Sequence, residues 1–134
     1  MDHKLQIQNS IDYIEKHLCE SITLNEIAKQ SHFSEFHFQR LFRKAVGVSV
    51  MEYVRKMRLS EAAKELAETD EKITNIAFKY QFSSEESFSR AFKRLYGSSP
   101  RDYRYTIGRY ADRRKTNAAK KGSNSITTTL CRAA

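Results

Sequence analysis

The sequence has few of the residues that interrupt helices. Its 134 residues include four glycines, one proline, two cysteines and no tryptophan, whereas leucine, alanine, lysine, arginine and glutamate are plentiful. A turn-rich β fold needs more glycine and proline than this, so the composition favours helices. We therefore predict an all-α fold, of a length that suits one compact domain or two small helical lobes.

The sequence also lacks the patterns of a metal site, a catalytic centre or a membrane span. Cys19 and Cys131 lie far apart, and the histidines match neither a closed zinc pattern nor a catalytic triad. No apolar run approaches the roughly 18 residues that a membrane span needs, and the N-terminus has no signal-peptide core. We expect a cytoplasmic protein without a metal, a cofactor, an enzymatic activity or a membrane partner.

Positive charge is abundant but unevenly distributed. The formal net charge is +8 and the isoelectric point is near 9.6, values that suit a protein that meets a polyanion. Residues 1–100 nevertheless hold 15 Lys and Arg against 14 Asp and Glu, whereas residues 101–134 hold 9 against 2. Any DNA binding by the first hundred residues must therefore depend on where their charges are placed.

The first third of the chain has the pattern of a helix-turn-helix unit. Thr23 and Glu26 form a capping box that opens a short helix, and Ser34 caps the next one. Residues 31–33 leave room only for a tight turn between them, which predicts a helix-turn-helix unit at about 24–47. A first helix precedes this unit, and its apolar stripe comprises Leu5, Ile11, Ile14 and Leu18.

A long helix and a second helix-turn-helix unit come next. Ser49 caps a linker helix at about 49–66, and the second unit follows at about 73–97. Within that unit, Ser83 and Glu86 have the spacing of a second capping box. The predicted buried side of the linker helix comprises Val50, Tyr53, Val54, Met57, Ala62, Ala63 and Leu66.

A short last helix and a basic tail complete the predicted organisation. Ser99 and Pro100 supply a cap and a first-turn proline for a helix through Tyr103. The remainder shows no sustained hydrophobic period. We predict a DNA-binding domain over residues 1–105 and a flexible basic tail over residues 106–134, whose charges serve either as phosphate contacts or only to keep the chain soluble.

Two parts of the chain repeat each other in order. At an offset of 49, Ile27 and Phe33 correspond to Ile76 and Phe82. One residue is then inserted, and further matches continue at an offset of 50. These matched pairs are Phe38 and Phe88, Arg40 and Arg90, Phe42 and Phe92, Gly47 and Gly97, Ser49 and Ser99, and Tyr53 and Tyr103. We interpret the chain as a duplicated helix-turn-helix.

The second helix of each unit has one apolar side and one side suited to reading bases. The apolar sides are predicted to comprise Phe38, Leu41, Phe42 and Ala45 in the first unit, and Phe88, Ala91, Phe92 and Leu95 in the second. The opposite faces comprise Phe36, Gln39, Arg40 and Arg43 in the first, and Glu86, Ser89, Arg90 and Lys93 in the second. Arg can donate two hydrogen bonds to guanine, and Gln can pair with adenine, from a helix in the major groove.

Glu86 has two alternative roles in this pattern. As part of a capping box with Ser83, its carboxylate would turn back to the backbone of Ser83 and away from the bases. As a reading residue, it would accept a hydrogen bond from cytosine. We predict the capping role, because a carboxylate that faces the groove is repelled by the neighbouring phosphates.

The chain resembles the AraC/XylS family of transcription regulators, and within it the short MarA/SoxS/Rob-type subgroup. The resemblance runs from about residue 5 to 104, and its most specific part is residues 76–104. It implies two helix-turn-helix lobes bridged by a long helix, which bind two successive major grooves of an asymmetric site as a monomer. It also implies activation of transcription by recruitment of RNA polymerase.

The resemblance assigns roles residue by residue. Phe36, Gln39 and Arg40 would read the first groove, and Ser87, Ser89 and Arg90 would read or clamp the second. The chain departs from the subgroup at two pairs of positions. Glu85 and Glu86 replace a common pair of glutamines, and His32 and Gln81 occupy turn positions where the subgroup often has glycine. A non-glycine residue with positive φ at such a turn costs roughly 1 kcal/mol or more.

Three rival interpretations follow from the same residues. The chain could be the DNA-binding part of a longer, effector-sensing regulator, although 134 residues leave no room for a ligand domain, and a complete chain of this length would be controlled by its own abundance. The chain could instead be a helical protein-interaction module, and any binding to DNA would then be indifferent to the DNA sequence. DNA-repair methyl-transfer proteins carry a related DNA-binding region, but two isolated cysteines cannot build their zinc-bound centre.

Overall fold

The computed structural model describes residues 3–107, and throughout this range the secondary structure is helical. The prediction of an all-α fold is confirmed. None of the described helices is long and apolar enough to cross a membrane. The helices are α1 (His3–Lys16), α2 (Leu24–Ser31), α3 (Glu35–Val46), α4 (Val50–Glu68), α5 (Ile73–Lys79), α6 (Glu85–Tyr96) and α7, which begins at residue 100 and continues through residue 107.

The chain forms two compact units, Met1–Arg58 and Leu59–Ala134. The first contains α1, α2, α3 and the beginning of α4, and the second contains the rest of α4 with α5, α6 and α7. The predicted flexible tail lies almost wholly outside the described residues. Each unit has a core of its own, and α4 contributes buried residues to both cores.

The two cores repeat the same aromatic packing, as the sequence repeat predicts. In the first unit, the rings of Phe38 and Phe42 lie 5.6 Å apart, and Tyr53 packs edge-on against Phe42 at 5.5 Å. In the second, Phe88 and Phe92 lie 5.7 Å apart, and Tyr103 packs against Phe92 at 5.2 Å. Aromatic pairs at these distances add to the stabilisation that burial of the rings already gives.

Local capping sets where the helices begin. The Thr23 hydroxyl accepts from the Glu26 backbone N–H at 3.2 Å, and the Glu26 carboxylate accepts from the Thr23 N–H at 3.4 Å. The predicted first capping box is therefore present. Ser34, Ser49 and Ser99 cap the helices that follow them, with backbone N–H to Oγ distances of 3.1–3.3 Å. Each such cap satisfies one of the donors that a helix start leaves unpaired.

The predicted capping box between Ser83 and Glu86 is wrong. Ser84 is the N-cap of α6, and its hydroxyl accepts from the Ser87 N–H at 3.0 Å. This shifts the helix start by one residue, so the third helical position holds Ser87 and Glu86 stands at the second. The neighbouring Glu85 accepts a hydrogen bond from the Thr74 hydroxyl of α5 at 2.6 Å, a contact between helices that a local pattern cannot reveal.

Three apolar residues predicted to be buried are exposed. Leu5 is 64% exposed, because α1 turns Ile7 toward the core instead. Ala45 and Leu95 are also exposed, at the last turns of α3 and α6. Val46 packs against the first core, and Tyr96 stacks on Phe92 at 4.6 Å. The fully buried positions are therefore the two phenylalanines of each helix, Phe38 and Phe42 in α3 and Phe88 and Phe92 in α6, spaced by four.

The linker helix buries two sets of residues. All seven positions predicted for its buried side are buried, and Leu59 joins them. Val50, Tyr53, Val54 and Met57 belong to the first core, and Leu59, Ala62, Ala63 and Leu66 belong to the second. The buried positions recur at three or four residues within each set but are two residues apart between Met57 and Leu59. A single apolar stripe is therefore the wrong description of this helix.

One arginine in each unit is held by backbone carbonyls far from it in the chain. Arg58 of α4 donates from Nε to the Leu18 carbonyl at 3.0 Å and from Nη2 to the Glu20 carbonyl at 2.8 Å, just past the end of α1. Arg104 of α7 donates from Nε to the Leu66 carbonyl in the last turn of α4 at 3.0 Å. Burial lowers the pKa of Arg58 from its usual value. In both units the helix that follows the helix-turn-helix is thus tied to the helix that precedes it.

Candidate nucleic-acid interface

The outer face of α3 carries the four side chains predicted to read the first DNA segment. Phe36 is 73% exposed, and Gln39, Arg40 and Arg43 are exposed with it. The buried Phe38 and Phe42 fix the rotation of α3 against the first core. Because residues three and four apart share one side of a helix, this packing places all four side chains on the solvent side.

Phe36 and Arg40 contact each other on this face. The guanidinium carbon of Arg40 lies 5.7 Å from the centre of the Phe36 ring. A cation over an aromatic face gains about 0.5–1 kcal/mol at an exposed site. The ring therefore restricts the rotamers of a long side chain whose two parallel N–H groups match the acceptors of guanine.

The outer face of α6 carries a mixed charge. Glu86, Arg90 and Lys93 are exposed, whereas Ser87 and Ser89 are half-buried. The Glu86 carboxylate lies 3.7 Å from the Arg90 guanidinium one turn later. The corresponding face of α3 has no such carboxylate beside its arginine, so the two faces differ in charge as well as in residue type.

The ends of both helices favour an anionic partner at the outer face. Arg43 and Lys44 lie in the last turn of α3, and Lys93 and Arg94 lie in the last turn of α6. Cations there also complement the negative end of the helix dipole. Glu86 is the acid on the outer face of α6, whereas Glu65 lies on α4 and its carboxylate pairs with Lys79.

Both tight turns hold a non-glycine residue in the left-handed region, as the departures from the family pattern predict. His32 has φ of 65° and Gln81 has φ of 70°. The glycines that end α3 and α6, Gly47 and Gly97, have φ of 95° and 81°. His32 and Gln81 lie between the two helices of their units, where a left-handed residue turns the chain from the first helix toward the second.

Three contacts near the candidate interface were not predicted from the sequence. The Thr74–Glu85 hydrogen bond ties the start of α6 to α5. At the start of α3, the His37 ring lies 4.8 Å from Phe33, and the His3 ring of α1 lies 5.4 Å from Phe33. The spacing of four between Phe33 and His37 was a usable signal, whereas no sequence pattern indicates the contacts of Thr74 and His3.

Comparison with known proteins identifies the family. The model of a helix-turn-helix domain matches residues 27–106. The transcriptional activator AarP of Providencia stuartii is 42% identical over 106 residues, which are 79% of this chain and 78% of that protein. The regulatory protein SoxS of Escherichia coli K12 is 35% identical over 107 residues, 80% of this chain and all of SoxS.

The chain belongs to the AraC/XylS family. The resemblance to the MarA/SoxS-like subgroup is thereby confirmed, and this AraC-type chain is a DNA-binding transcription regulator whose partner is double-stranded DNA. Another relative is longer: the HTH-type transcriptional regulator YbfP of Bacillus subtilis is 41% identical over 121 residues, which are 90% of this AraC-type chain but only 41% of YbfP.

Solved structures agree with the fold of this AraC-type chain. An AraC-type transcriptional regulator from Chromobacterium violaceum aligns with a TM-score of 0.75 at 24% identity, over 78% of this chain and 93% of that one. The C-terminal domain of AraT, a response regulator from Geobacillus stearothermophilus, aligns with a TM-score of 0.70 at 30% identity, over 75% of this chain and 84% of that one.

Proposed function

We propose that this chain is a cytoplasmic activator that reads an asymmetric DNA site as a monomer and recruits RNA polymerase. The observation that carries the proposal is the exposed face of α3, where Phe36 holds Arg40 beside Gln39. Exposed Arg and Gln on the second helix of a helix-turn-helix are the donors that major-groove readers use. The activator role is supported by the family and by AarP, a relative described as a transcriptional activator.

The site residues of the proposal lie on two helices. On α3, Phe36, Gln39, Arg40 and Arg43 contact the first DNA segment, with Arg40 bound to a guanine. On α6, the second segment is contacted by Glu86, Ser87, Ser89, Arg90 and Lys93. The half-buried Ser87 and Ser89 suit contacts close to the helix axis, such as phosphates that approach the start of the helix.

Binding selection from random duplexes tests the DNA-reading part of this proposal. The retained pool should contain one asymmetric motif, because the faces of α3 and α6 carry different residues and charges. Analytical ultracentrifugation with a selected duplex of roughly two helical turns should give one chain per duplex. A palindromic motif bound by two chains contradicts the monomer, and retention without any motif favours the helical protein-interaction module.

Arg40→Ala should relax specificity at one base pair of the motif, at a cost of roughly 1–3 kcal/mol for that pair. The reason is the loss of a base contact that no neighbouring side chain replaces. Lys44→Ala is the matched control, since Lys44 is an exposed cation of the same helix outside the reading face. Measured on duplexes that carry each base at each position, Lys44→Ala should weaken all sequences alike. The same uniform loss for Arg40→Ala would make Arg40 a phosphate contact.

Recruitment of RNA polymerase is tested separately by transcription in vitro. A promoter that carries the selected motif should give more transcript in the presence of the chain than a promoter with a scrambled motif. Binding to the motif without any gain in transcript contradicts the activator role and leaves the DNA-reading proposal intact.

A further inference from the structure

The helix α6 begins with two neighbouring carboxylates that have different surroundings. Glu85 accepts the Thr74 hydroxyl hydrogen bond at 2.6 Å and is therefore directed to α5. Glu86 is 85% exposed and lies on the outer face beside Arg90. Neither carboxylate caps the helix, because the Ser84 hydroxyl accepts from the Ser87 N–H. Glu86 therefore does not have the helix-capping role that the sequence pattern predicts.

The position of Glu86 is one where reading helices contact bases. It is the second residue of α6, and the first turn of a recognition helix approaches the base edges. Arg90 follows one turn later on the same side. At 3.7 Å, with both side chains at least 80% exposed, their ion pair contributes little in water, so both groups stay available to DNA. The cation beside the carboxylate also offsets its repulsion from the phosphates.

The chemistry of an ionised carboxylate restricts which base it can contact. A carboxylate only accepts hydrogen bonds. In the major groove, guanine and thymine present acceptors, whereas adenine and cytosine present an amino group. The adenine amino group lies beside the acceptor N7, and the cytosine amino group has no such neighbour. A carboxylate on the outer face of α6 therefore discriminates in favour of cytosine.

We propose that Glu86 is a specificity-determining residue that selects a cytosine in the DNA segment contacted by α6. The inference rests on the DNA-reading role of α6 proposed above, and it adds the identity of one base that α6 selects. Arg90 acts beside it as the charge partner that lets a carboxylate enter the groove.

The experiment is binding selection from randomised duplexes with the wild-type chain, Glu86→Gln, Glu85→Gln and Arg90→Ala. Positions that change in Arg90→Ala identify the segment contacted by α6. Gln at position 86 keeps an oxygen that can accept from the N6 amino group of adenine and adds an NH₂ group that can donate to N7. Glu86→Gln should therefore move the preference at one position of that segment from cytosine to adenine, by on the order of ten-fold in relative binding.

Glu85→Gln is the matched control because it removes the same charge one residue away and keeps an oxygen that accepts from Thr74. It should raise the affinity for all sequences by a similar factor and leave the motif unchanged. If Glu86→Gln behaves in the same way, Glu86 acts through charge alone and the inference is overturned. A wild-type motif without cytosine in the α6 segment also overturns it. A wild-type chain that retains no motif overturns the proposed function itself, which distinguishes the two failures.

Discussion

At the scale of single residues, the two turns that reverse the chain are built with side chains that fit them poorly. His32 and Gln81 have φ of 65° and 70°, in a region that costs an L-residue roughly 1–2 kcal/mol. Both residues are exposed, and the His32 N–H bonds only weakly to the Lys29 carbonyl, at 3.3 Å. The turns form nonetheless, because the buried helices on either side fix the path of the chain.

His32→Gly should stabilise the chain by about 0.5–1 kcal/mol. Glycine removes the strain at positive φ, and part of this gain is lost because glycine is more flexible in the unfolded chain. Gly47→Ala is the matched control in the same unit, since φ is 95° there and a Cβ would meet no atom within 4 Å. It should cost about 1 kcal/mol through backbone strain alone. Urea unfolding of both variants measures these changes, and a loss of stability in His32→Gly would refute the strain argument.

At the scale of the helices, each unit is closed by an arginine that reaches from the helix after the helix-turn-helix to the helix before it. Arg58 binds two carbonyls past the end of α1, and Arg104 binds the Leu66 carbonyl of α4. Leu66 lies in the last turn of α4, where carbonyls lack partners within the helix, so Arg104 satisfies one of them. These hydrogen bonds also limit how far α4 can shift against the first core and α7 against the second. The first core supports α3, and the second supports α6.

Arg58→Ala should destabilise the chain by about 1–3 kcal/mol, because it removes two hydrogen bonds from a charged donor and leaves their acceptors unpaired. Arg55→Ala serves as the control, since Arg55 is an exposed arginine one turn earlier on α4. Its effect on the urea midpoint should be within about 0.5 kcal/mol of zero. Equal losses in the two variants would mean that Arg58 stabilises the unit through its charge and not through these carbonyls.

At the scale of the whole molecule, most of the net positive charge lies beyond the reading helices. Residues 108–134 contain seven Lys and Arg against a single Asp. Long-range attraction to DNA depends on net charge, whereas the choice of sequence depends on side chains held in a fixed geometry. Affinity and specificity should therefore be separable in this chain.

Removal of residues 106–134 should weaken DNA binding, leave the selected motif unchanged and flatten the dependence of the binding constant on salt. The slope of log K against log salt is negative, and each lost phosphate contact reduces its magnitude by about 0.9. The triple substitution Arg113→Gln, Arg114→Gln and Lys115→Gln keeps the length and tests charge alone. An unchanged salt slope in the truncated chain would show that the tail does not contact DNA.

Much of the fold was predictable because its signals are local. The capping box of Thr23 and Glu26 and the caps Ser34, Ser49 and Ser99 involve residues three apart, and the structure contains all of them. Helical periodicity likewise placed Phe38 and Phe42 inside, and it is this burial that leaves Arg40 outside.

Other features depend on which helices meet, and no local pattern contains that information. Ser83 and Ser84 are equally good caps in sequence, and Ser84 is the cap in a structure where Glu85 bonds to Thr74 of another helix. Leu5 is as apolar as Ile7, but only one of them faces the core. By itself the sequence determined the helices, their repeat and the exposed outer faces of α3 and α6, because residues three or four apart decide these. Only the tertiary structure decided where α6 starts and left Glu86 facing outward, because that outcome follows from contacts between residues far apart in the chain.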